Sequence, residues 1–144
     1  MSPLTGGFVK GIGGYTNIGM ICGGTGITPM LSLIQCIRAA AEDARPAIQM
    51  LACNREEKDI LLRHQLERLQ QPLPFTVHHV LSQPPSGSTW DQVGSSGRLT
   101  KDVIKKVMAT PGAGTLVFVC GRPAFNTFVA QALAALGFQY HIFG

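Results

Sequence analysis

GGTGITPM, at residues 23–30, follows the short apolar run IGMIC at residues 18–22 and precedes a helix-like stretch at residues 31–41. A short apolar run bounded by turn residues is typical of a buried strand, whereas the stretch after the turn repeats apolar residues at helical spacing. The three glycines between them mark a tight turn. The octapeptide therefore predicts a strand, a glycine turn and a helix in immediate succession, as α/β folds contain.

The glycine turn has the chemistry of an anion site. Gly23, Gly24 and Gly26 carry no Cβ, so the backbone can adopt positive φ angles and approach a ligand closely. Backbone amides at the start of the following helix favour a bound phosphate. Thr28 suits the N-cap and Pro29 the first helical position, which predicts that the helix begins there. Glycines at such a junction can also serve packing alone, so the turn by itself leaves both interpretations open.

The composition indicates one folded domain. The chain has 144 residues, of which 45% are hydrophobic and 14% charged, enough for one substantial core. No apolar run reaches the roughly 20 residues that cross a bilayer, and the N-terminus lacks the apolar segment of a secretory signal. We expect a linker from an upstream domain at residues 1–16, a folded domain at residues 17–144, and a soluble, intracellular protein without membrane contacts in this region.

The cysteine, histidine and charge patterns argue against several classes of function. Cys22, Cys36, Cys53 and Cys120 lie singly inside apolar runs, which disfavours a disulfide framework and a zinc site. The four histidines have no ligand-like spacing, so we expect no metal. The net charge is +4, but the basic residues are dispersed and no nucleic-acid motif occurs. An acidic cofactor or acidic protein partner is therefore favoured over a nucleic acid.

Apolar strand-like runs alternate with amphipathic helical stretches along the whole chain. This alternation is typical of a parallel sheet with crossover helices. We predict an α/β fold with an open, mostly parallel five-stranded sheet, with strands at residues 18–22, 47–53, 75–81, 115–120 and 139–143. The helices are predicted at residues 29–42, 58–69, 100–108 and 124–136. The intervening stretch 82–99 is rich in proline, glycine and serine and is predicted to be a long loop.

The ends of two strands predict where a ligand binds. In an open parallel sheet, ligands bind at the carboxyl ends of the strands, where the strand order reverses. We expect that point between the first and fourth predicted strands. The first ends in the glycine turn and the fourth in Cys120-Gly121-Arg122-Pro123, so two glycine-bearing turns face one crevice. A ligand with a pyrophosphate on one turn and a flat ring near the other fits this arrangement.

Three motifs resemble one known family. GGTGITPM at residues 23–30, LACNREEKDILLRHQLERL at 51–69 and FVCGRPAF at 118–125 occur in the order and spacing of the pyridine-nucleotide-binding domain of the ferredoxin-reductase superfamily. The segment EKDILLR at residues 57–63 is characteristic of its NADH-cytochrome b5 reductase branch. The chain also has an aromatic residue near its end, Phe143, as in that family. The resemblance covers nearly the whole chain from about residue 19 onwards.

The resemblance implies an oxidoreductase built from two halves. An upstream β-barrel holds FAD and a downstream α/β domain holds NADH. A hydride passes from NADH to FAD, and single electrons then leave to a haem protein such as cytochrome b5. This chain corresponds to the downstream half, so by itself it is expected neither to retain FAD nor to turn over. The full-length protein is expected in the cytoplasm, or on the cytoplasmic face of the endoplasmic reticulum or mitochondrial outer membrane if it has an anchor.

The resemblance also assigns roles to residues of the two turns. The turn under the dinucleotide phosphates would consist of Gly23, Gly24, Thr25 and Gly26. Thr28 and Pro29 would lie nearest the flavin and the nicotinamide, with Thr28 as a candidate catalytic residue. On the other side of the crevice, Gly121 and Pro123 would shape the second turn. Phe125 would border the adenine or the pyrophosphate.

Cys120 is the second candidate catalytic residue, because it matches the cysteine that the family places beside C4 of the nicotinamide. A small, polarisable and uncharged side chain leaves room there for the ring. Its implied role is to position hydride transfer, not to act as acid, base or nucleophile. A buried structural cysteine is the alternative.

Three positions depart from the family pattern. Arg122 and Phe125 stand where the family has proline and usually methionine, so packing there differs. NADH-preferring relatives carry an aspartate after the third strand, beside the ribose hydroxyls, and this position is Ser82 here. Serine occurs there in NADPH-using relatives, and Arg55 could pair with a 2′-phosphate, although a solvated surface arginine is the alternative. NADH is the first expectation for the cofactor, and NADPH stays open.

Two functions of other classes also stay open. A nucleotide-binding or regulatory module without redox activity would keep both turns but work without a flavin. A small α/β protein whose glycines serve only packing would not be stabilised by NADH, NADPH or ADP-ribose. Thermal unfolding separates these cases, because a ligand that binds the native state raises its melting temperature.

Overall fold

Strands and helices alternate through most of the chain. The computed structural model describes residues 15–39, 46–60, 63–69, 75–83 and 94–143. In these ranges the strands are β1 Asn17–Gly23, β2 Ala47–Asn54, β3 Phe75–Leu81, β4 Gly94–Ser96, β5 Thr115–Cys120 and β6 Gln139–Ile142. The helices are α1 Ile27–Ala39, α2 Arg63–Leu69, α3 Lys101–Val107 and α4 Pro123–Leu136, and 3₁₀ turns occur at Gly24–Gly26 and Glu57–Asp59.

The strands form one sheet in the order β4-β3-β2-β1-β5-β6. Every neighbouring pair is parallel. β1 lies between β2 and β5, so the strand order reverses beside β1. The predicted α/β class with an open parallel sheet is confirmed, and so is the expected neighbourhood of the first strand and the strand at residues 115–120.

Helices pack on both faces of the sheet because the central strand is apolar on both sides. One buried cluster joins alternate residues of β1 to α1, and its members include Ile18, Met20, Cys22, Met30, Leu33, Ile34 and Ile37. A second cluster on the opposite face joins β1 and β5 to α3 and α4, and it includes Ile21, Val117, Val119, Ile104, Val129 and Leu133. Each fully buried side chain of this size contributes about 1.5–3 kcal/mol to folding. A strand buried on both faces is typical of a parallel sheet.

β4 was not predicted, and it corrects the predicted five-stranded sheet to six strands. Gly94–Ser96 falls inside the stretch expected to be a loop and pairs with β3 at the edge of the sheet. Its three small residues have no apolar alternation, so the sequence carried no strand pattern there. His78 Nε2 and Ser95 Oγ, 2.7 Å apart, share a hydrogen bond between β3 and β4. The rest of the predicted loop, residues 84–93, lies outside the described residues.

Two predicted helix starts are wrong. α1 begins at Ile27, since the 3₁₀ turn Gly24–Gly26 runs directly into it. Thr28 is therefore not an N-cap, and Pro29 lies within the first turn, where its missing N–H is tolerated. The helix predicted over residues 58–69 is instead a 3₁₀ turn followed by α2, because Ile60 is extended, with ψ at 106°. Residues 40–42, the predicted end of the first helix, lie outside the described residues.

The other two helices begin and end close to their predicted positions. The Thr100 hydroxyl accepts a hydrogen bond from the backbone N–H of Val103 and caps α3. α4 ends at Gly137, whose φ of 86° is left-handed and suits the C-cap glycine that the sequence indicated. Most of the predicted linker, residues 1–14, lies outside the described residues. Thr16 already belongs to the sheet region, since its carbonyl accepts from Ala47 and its N–H donates to Gly114. Among the described helices, none is long and apolar enough to cross a membrane.

Candidate functional site

The carboxyl ends of four neighbouring strands form a row along one edge of the sheet. Cys120 ends β5, Gly23 ends β1, Asn54 ends β2 and Leu81 ends β3. The strand register keeps these ends level, pairing Cys22 with Cys120. Since neighbouring strands lie about 4.8 Å apart, the row spans about 14 Å. α1 packs on one face of the sheet and α4 on the other, so the point of reversed strand order lies between β1 and β5. Ligands of parallel sheets bind in the crevice outside the strand ends at such a point.

The two turns that border this crevice touch each other through backbone atoms. A Cβ placed on Gly26 would lie 2.7 Å from the carbonyl carbon of Cys120 and still closer to its oxygen. Only glycine allows this approach. Gly24, by contrast, is exposed, has a left-handed φ of 55° and would find no atom within 4 Å of a Cβ. The glycine turn is thus closed toward β5 and open above Gly24, at the N-terminal end of α1, where an anion is favoured.

Phe125 and Asn126 hold the second turn in place. The Phe125 ring fills the space where a Cβ of Gly121 would lie, 2.5 Å from its Cδ2 atom, and the same ring would lie 3.6 Å from a Cβ at Gly23. Asn126 donates from Nδ2 to the carbonyl of Gly121 over 2.9 Å. The ring therefore bridges both glycine turns, and the amide fixes the backbone directly after Cys120. Sequence reasoning missed Asn126, although an asparagine at the start of a helix is a known partner for a nearby turn carbonyl.

An indentation connects the ends of β1 and β2. Its lining includes Cys22, Gly24, Ile27, Ala52, Asn54 and Ile60. The lining is mostly apolar, with the amide of Asn54 at the end of the strand.

The cysteines around the crevice are uncharged thiols. Burial, together with the proximity of Cys53 and Cys120, raises the pKa of Cys22 far above its ordinary value. Burial raises the pKa of Cys53 to about 12 and also raises the pKa of Cys120. The four cysteines form no disulfide, and Cys120 is only half-buried. A neutral thiol of this kind is a weak nucleophile, which fits a positioning role.

The remaining predicted residues are not all brought together. Thr25 and Thr28 are exposed on the glycine-turn side, and the Thr28 carbonyl accepts from the Ser32 hydroxyl. Pro29 is half-buried in the same turn, and Pro123 is exposed at the start of α4. These positions border the crevice, whereas Ser82 lies two strands away.

Ser82 belongs to a separate corner of the same edge. Its N–H donates to the carbonyl of Asn54 at 3.1 Å, and the N–H of Gln83 donates to the carbonyl of Arg55 at 2.7 Å. Arg55 Nε in turn donates to Oε1 of Gln83 at 3.1 Å. The ends of β2 and β3 are thus joined by three hydrogen bonds, and the Arg55 guanidinium lies beside the side chain of Gln83, the residue after Ser82.

The fold and the two turns define a dinucleotide-binding α/β domain. The sequence profile of the family described as oxidoreductase NAD-binding domain matches residues 20–131, and the chain belongs to this family. NADH-cytochrome b5 reductase 2 of Rattus norvegicus is 44% identical over 125 residues, covering 85% of this chain and 44% of the relative. NADH-cytochrome b5 reductase 1 of Dictyostelium discoideum is 38% identical, covering 85% and 42%. The chain thus spans less than half the length of these curated relatives.

Solved structures agree with this assignment. The cytochrome b5 reductase domain of Ulva prolifera nitrate reductase has a TM-score of 0.78 at 31% identity, over 90% of this chain and 50% of the other. The CS-b5R domains of human Ncb5or, in the NAD+ form, have a TM-score of 0.79 over 92% and 38%; at 24% identity this match supports the fold alone. The resemblance to NADH-cytochrome b5 reductases is confirmed.

Proposed function

We propose that this chain is the NAD(P)H-binding half of a flavin-dependent oxidoreductase. In the full-length protein, a hydride would pass from NADH to FAD, which is held mainly by an upstream barrel domain. Single electrons would then leave to a haem protein such as cytochrome b5. The observation that carries the proposal is the backbone contact between Gly26 and Cys120, which holds a phosphate-sized glycine turn directly against the residue that carries the thiol. The names of the curated relatives support the reaction class.

The chain's own residues bind and orient the dinucleotide. The turn at residues 23–26 holds the pyrophosphate, with the open space above Gly24 receiving it. The nicotinamide lies beside Cys120, whose neutral thiol gives the ring room without competing chemistry. Thr28 and Pro29 border the side toward the flavin. Neither the Thr28 hydroxyl nor the Pro29 ring ionises near neutral pH, so both residues act only through where they lie beside the cofactors.

The second turn keeps the nicotinamide side of the crevice in shape. Gly121 and Pro123 set the path of the chain from β5 into α4, and Phe125 closes the floor between the two turns. Phe125 thereby borders the pyrophosphate position. The adenosine extends in the other direction, across β2 toward Ser82 at the end of β3.

The partners and location follow from the same proposal. The haem-protein acceptor would dock with its acidic surface toward this basic chain, whose net charge is +4. We place the full-length protein in the cytoplasm, or on the cytoplasmic face of the endoplasmic reticulum or mitochondrial outer membrane if it has an anchor.

The first test is thermal unfolding of the 144-residue chain with NADH, NADPH or ADP-ribose. At a ligand concentration of one hundred times Kd, binding to the native state contributes about 2.7 kcal/mol, which is easily detected as a higher Tm. Stabilisation by none of the three compounds would contradict the proposal and favour glycines that serve only packing.

The second test uses the full-length protein with its flavin. We expect Cys120→Ala to slow flavin reduction by NADH at least tenfold, with little change in NADH affinity, as a positioning role requires (tenfold corresponds to about 1.4 kcal/mol). Cys36→Ala, which removes a half-buried thiol from α1, is the matched control and should leave the rate unchanged. Nucleotide binding by a full-length protein that holds no flavin would instead identify a module without redox activity.

A further inference from the structure

The ends of β2 and β3 form a polar corner beyond the glycine turn, and we call Asn54, Arg55, Ser82 and Gln83 the β2–β3 corner. Two backbone hydrogen bonds, from Ser82 to Asn54 and from Gln83 to Arg55, fix its main chain. One side-chain hydrogen bond, from Arg55 Nε to Gln83 Oε1, orients the guanidinium. The backbone of the corner and the Arg55 side chain are therefore held in place, although Arg55, Ser82 and Gln83 are exposed and only Asn54 is half-buried.

The corner lies where the adenosine end of a dinucleotide would arrive. The strand order places β5, β1, β2 and β3 side by side, so Cys120, Gly24 and the corner follow one another along one edge. A nicotinamide beside Cys120 and a pyrophosphate on the glycine turn leave only the β2–β3 direction for the adenosine. The indentation that includes Ala52, Asn54 and Ile60 leads from the glycine turn into this corner.

The Arg55 side chain has donors left for an anion. Its Nε is occupied by Gln83, and its two terminal nitrogens have no partner among the residues that the structure describes. Nearby acidic groups are engaged elsewhere. Glu56 and Asp59 bond each other's backbone in a capping box, and Glu56 also pairs with Lys58 at 3.4 Å. An oriented guanidinium with free planar donors is the geometry that recognises a phosphate.

Resting on the proposed function, we propose that Arg55 determines nucleotide specificity by binding the 2′-phosphate of NADPH, with Gln83 orienting it. Ser82 contributes a hydroxyl at the same place, where a carboxylate would bond the free ribose hydroxyls of NADH and repel the phosphate. The chain accordingly accepts NADPH at least as tightly as NADH.

The experiment measures the affinities of this chain for NADPH and NADH by calorimetric titration. The same measurement with adenosine 2′,5′-bisphosphate and 5′-AMP isolates the 2′-phosphate, because these two compounds differ only in that group. Arg55→Gln should weaken NADPH and the bisphosphate at least tenfold and change NADH and 5′-AMP less than twofold. The NADPH advantage should also shrink at high salt, since the pair is exposed.

Three further variants make the test specific. Arg68→Gln removes an equally exposed arginine from the last turn of α2 and should change neither affinity. Ser82→Asp should weaken NADPH about tenfold without weakening NADH. Gln83→Leu removes the hydrogen bond that orients Arg55. It should also lower NADPH affinity, but less than Arg55→Gln does.

The outcomes separate this inference from the function on which it rests. If NADPH binds more than tenfold more weakly than NADH, or if Arg55→Gln leaves their ratio unchanged, the role of Arg55 is overturned while NADH binding still supports the proposed function. If neither nucleotide binds, the proposed function fails and the inference fails with it.

Discussion

Gly26→Ala tests the contact that joins the two turns of the crevice. The added Cβ would lie 2.7 Å from the carbonyl carbon of Cys120, whereas ordinary contacts of this kind are 3.4 Å or longer. The atoms on both sides belong to the backbone, between the start of α1 and the end of β5, so no side chain can rotate away. The two turns must separate by several tenths of an ångström.

We expect this overpacking to lower the free energy of unfolding by about 3 kcal/mol, at the upper end of typical core overpacking. For a chain of this size the melting temperature should fall by about 10 °C. NADH affinity should fall at least tenfold, because the phosphate turn and the thiol no longer share one geometry; tenfold is about 1.4 kcal/mol of binding free energy.

Thermal unfolding by circular dichroism and NADH fluorescence titration measure both effects. The matched control is Gly97→Ala, at a left-handed glycine beyond β4 with no atom within 4 Å of a Cβ. Gly97→Ala should lower the free energy of unfolding only by the backbone strain, about 1 kcal/mol, and leave NADH affinity unchanged. A Gly26→Ala protein that is as stable as the Gly97→Ala protein and binds NADH normally would refute the reasoning.

Three other substitutions test separate features. Burial, and secondarily Lys106, lower the pKa of His78 below 6.5, so the unfolded chain takes up a proton first and stability falls as pH drops from about 6.5 through the folded pKa. His78→Gln should remove this contribution, so that the free energy of unfolding, measured with urea, falls less between pH 7.5 and 5.5 than in the wild type. An unchanged pH profile would contradict this expectation. Phe125→Ala should cost about 2 kcal/mol, less than a fully buried ring, and weaken NADH binding because both turns loosen. Equal affinity in wild type and variant would argue against a bridging ring. Thr100→Ala should cost about 1 kcal/mol through the lost helix cap while NADH affinity stays the same, and a loss of affinity would show that α3 couples to the crevice.

The buried parallel strands were predictable because burial on both faces leaves long apolar runs. β1, β2 and β5 are nearly continuous in apolar residues, and the structure places them at or within a residue of the predicted bounds. β4 was not predictable in this way, since its three small residues pair only at the edge of the sheet. The break at Ile60 was also hidden, because its apolar neighbours match helical spacing on either side.

The general position of the site followed from one rule about parallel sheets, but its contacts did not. Glycines and Cys120 at two strand ends indicated a shared crevice, and the neighbouring positions of β1 and β5 agree with this. The contact of Gly26 with the Cys120 carbonyl and the bond from Asn126 to Gly121 join residues on separate elements. No local pattern encodes such distances. The roles of the individual site residues stay predictions.

The central position of β1 also sets the order in which the protein can assemble during synthesis. β1 can pair with β2 early, but its other neighbour comes much later, and Thr16 and Gly114, which are hydrogen-bonded beside this pairing, are 98 positions apart. Such distant pairing is slow. Until β5 leaves the ribosome, one edge of β1 stays unpaired and apolar, which invites wrong strand pairing between chains. Because the proposed nucleotide site includes Cys120 at the end of β5, a bound nucleotide cannot assist folding before β5 is made. A chain truncated before β5 should aggregate.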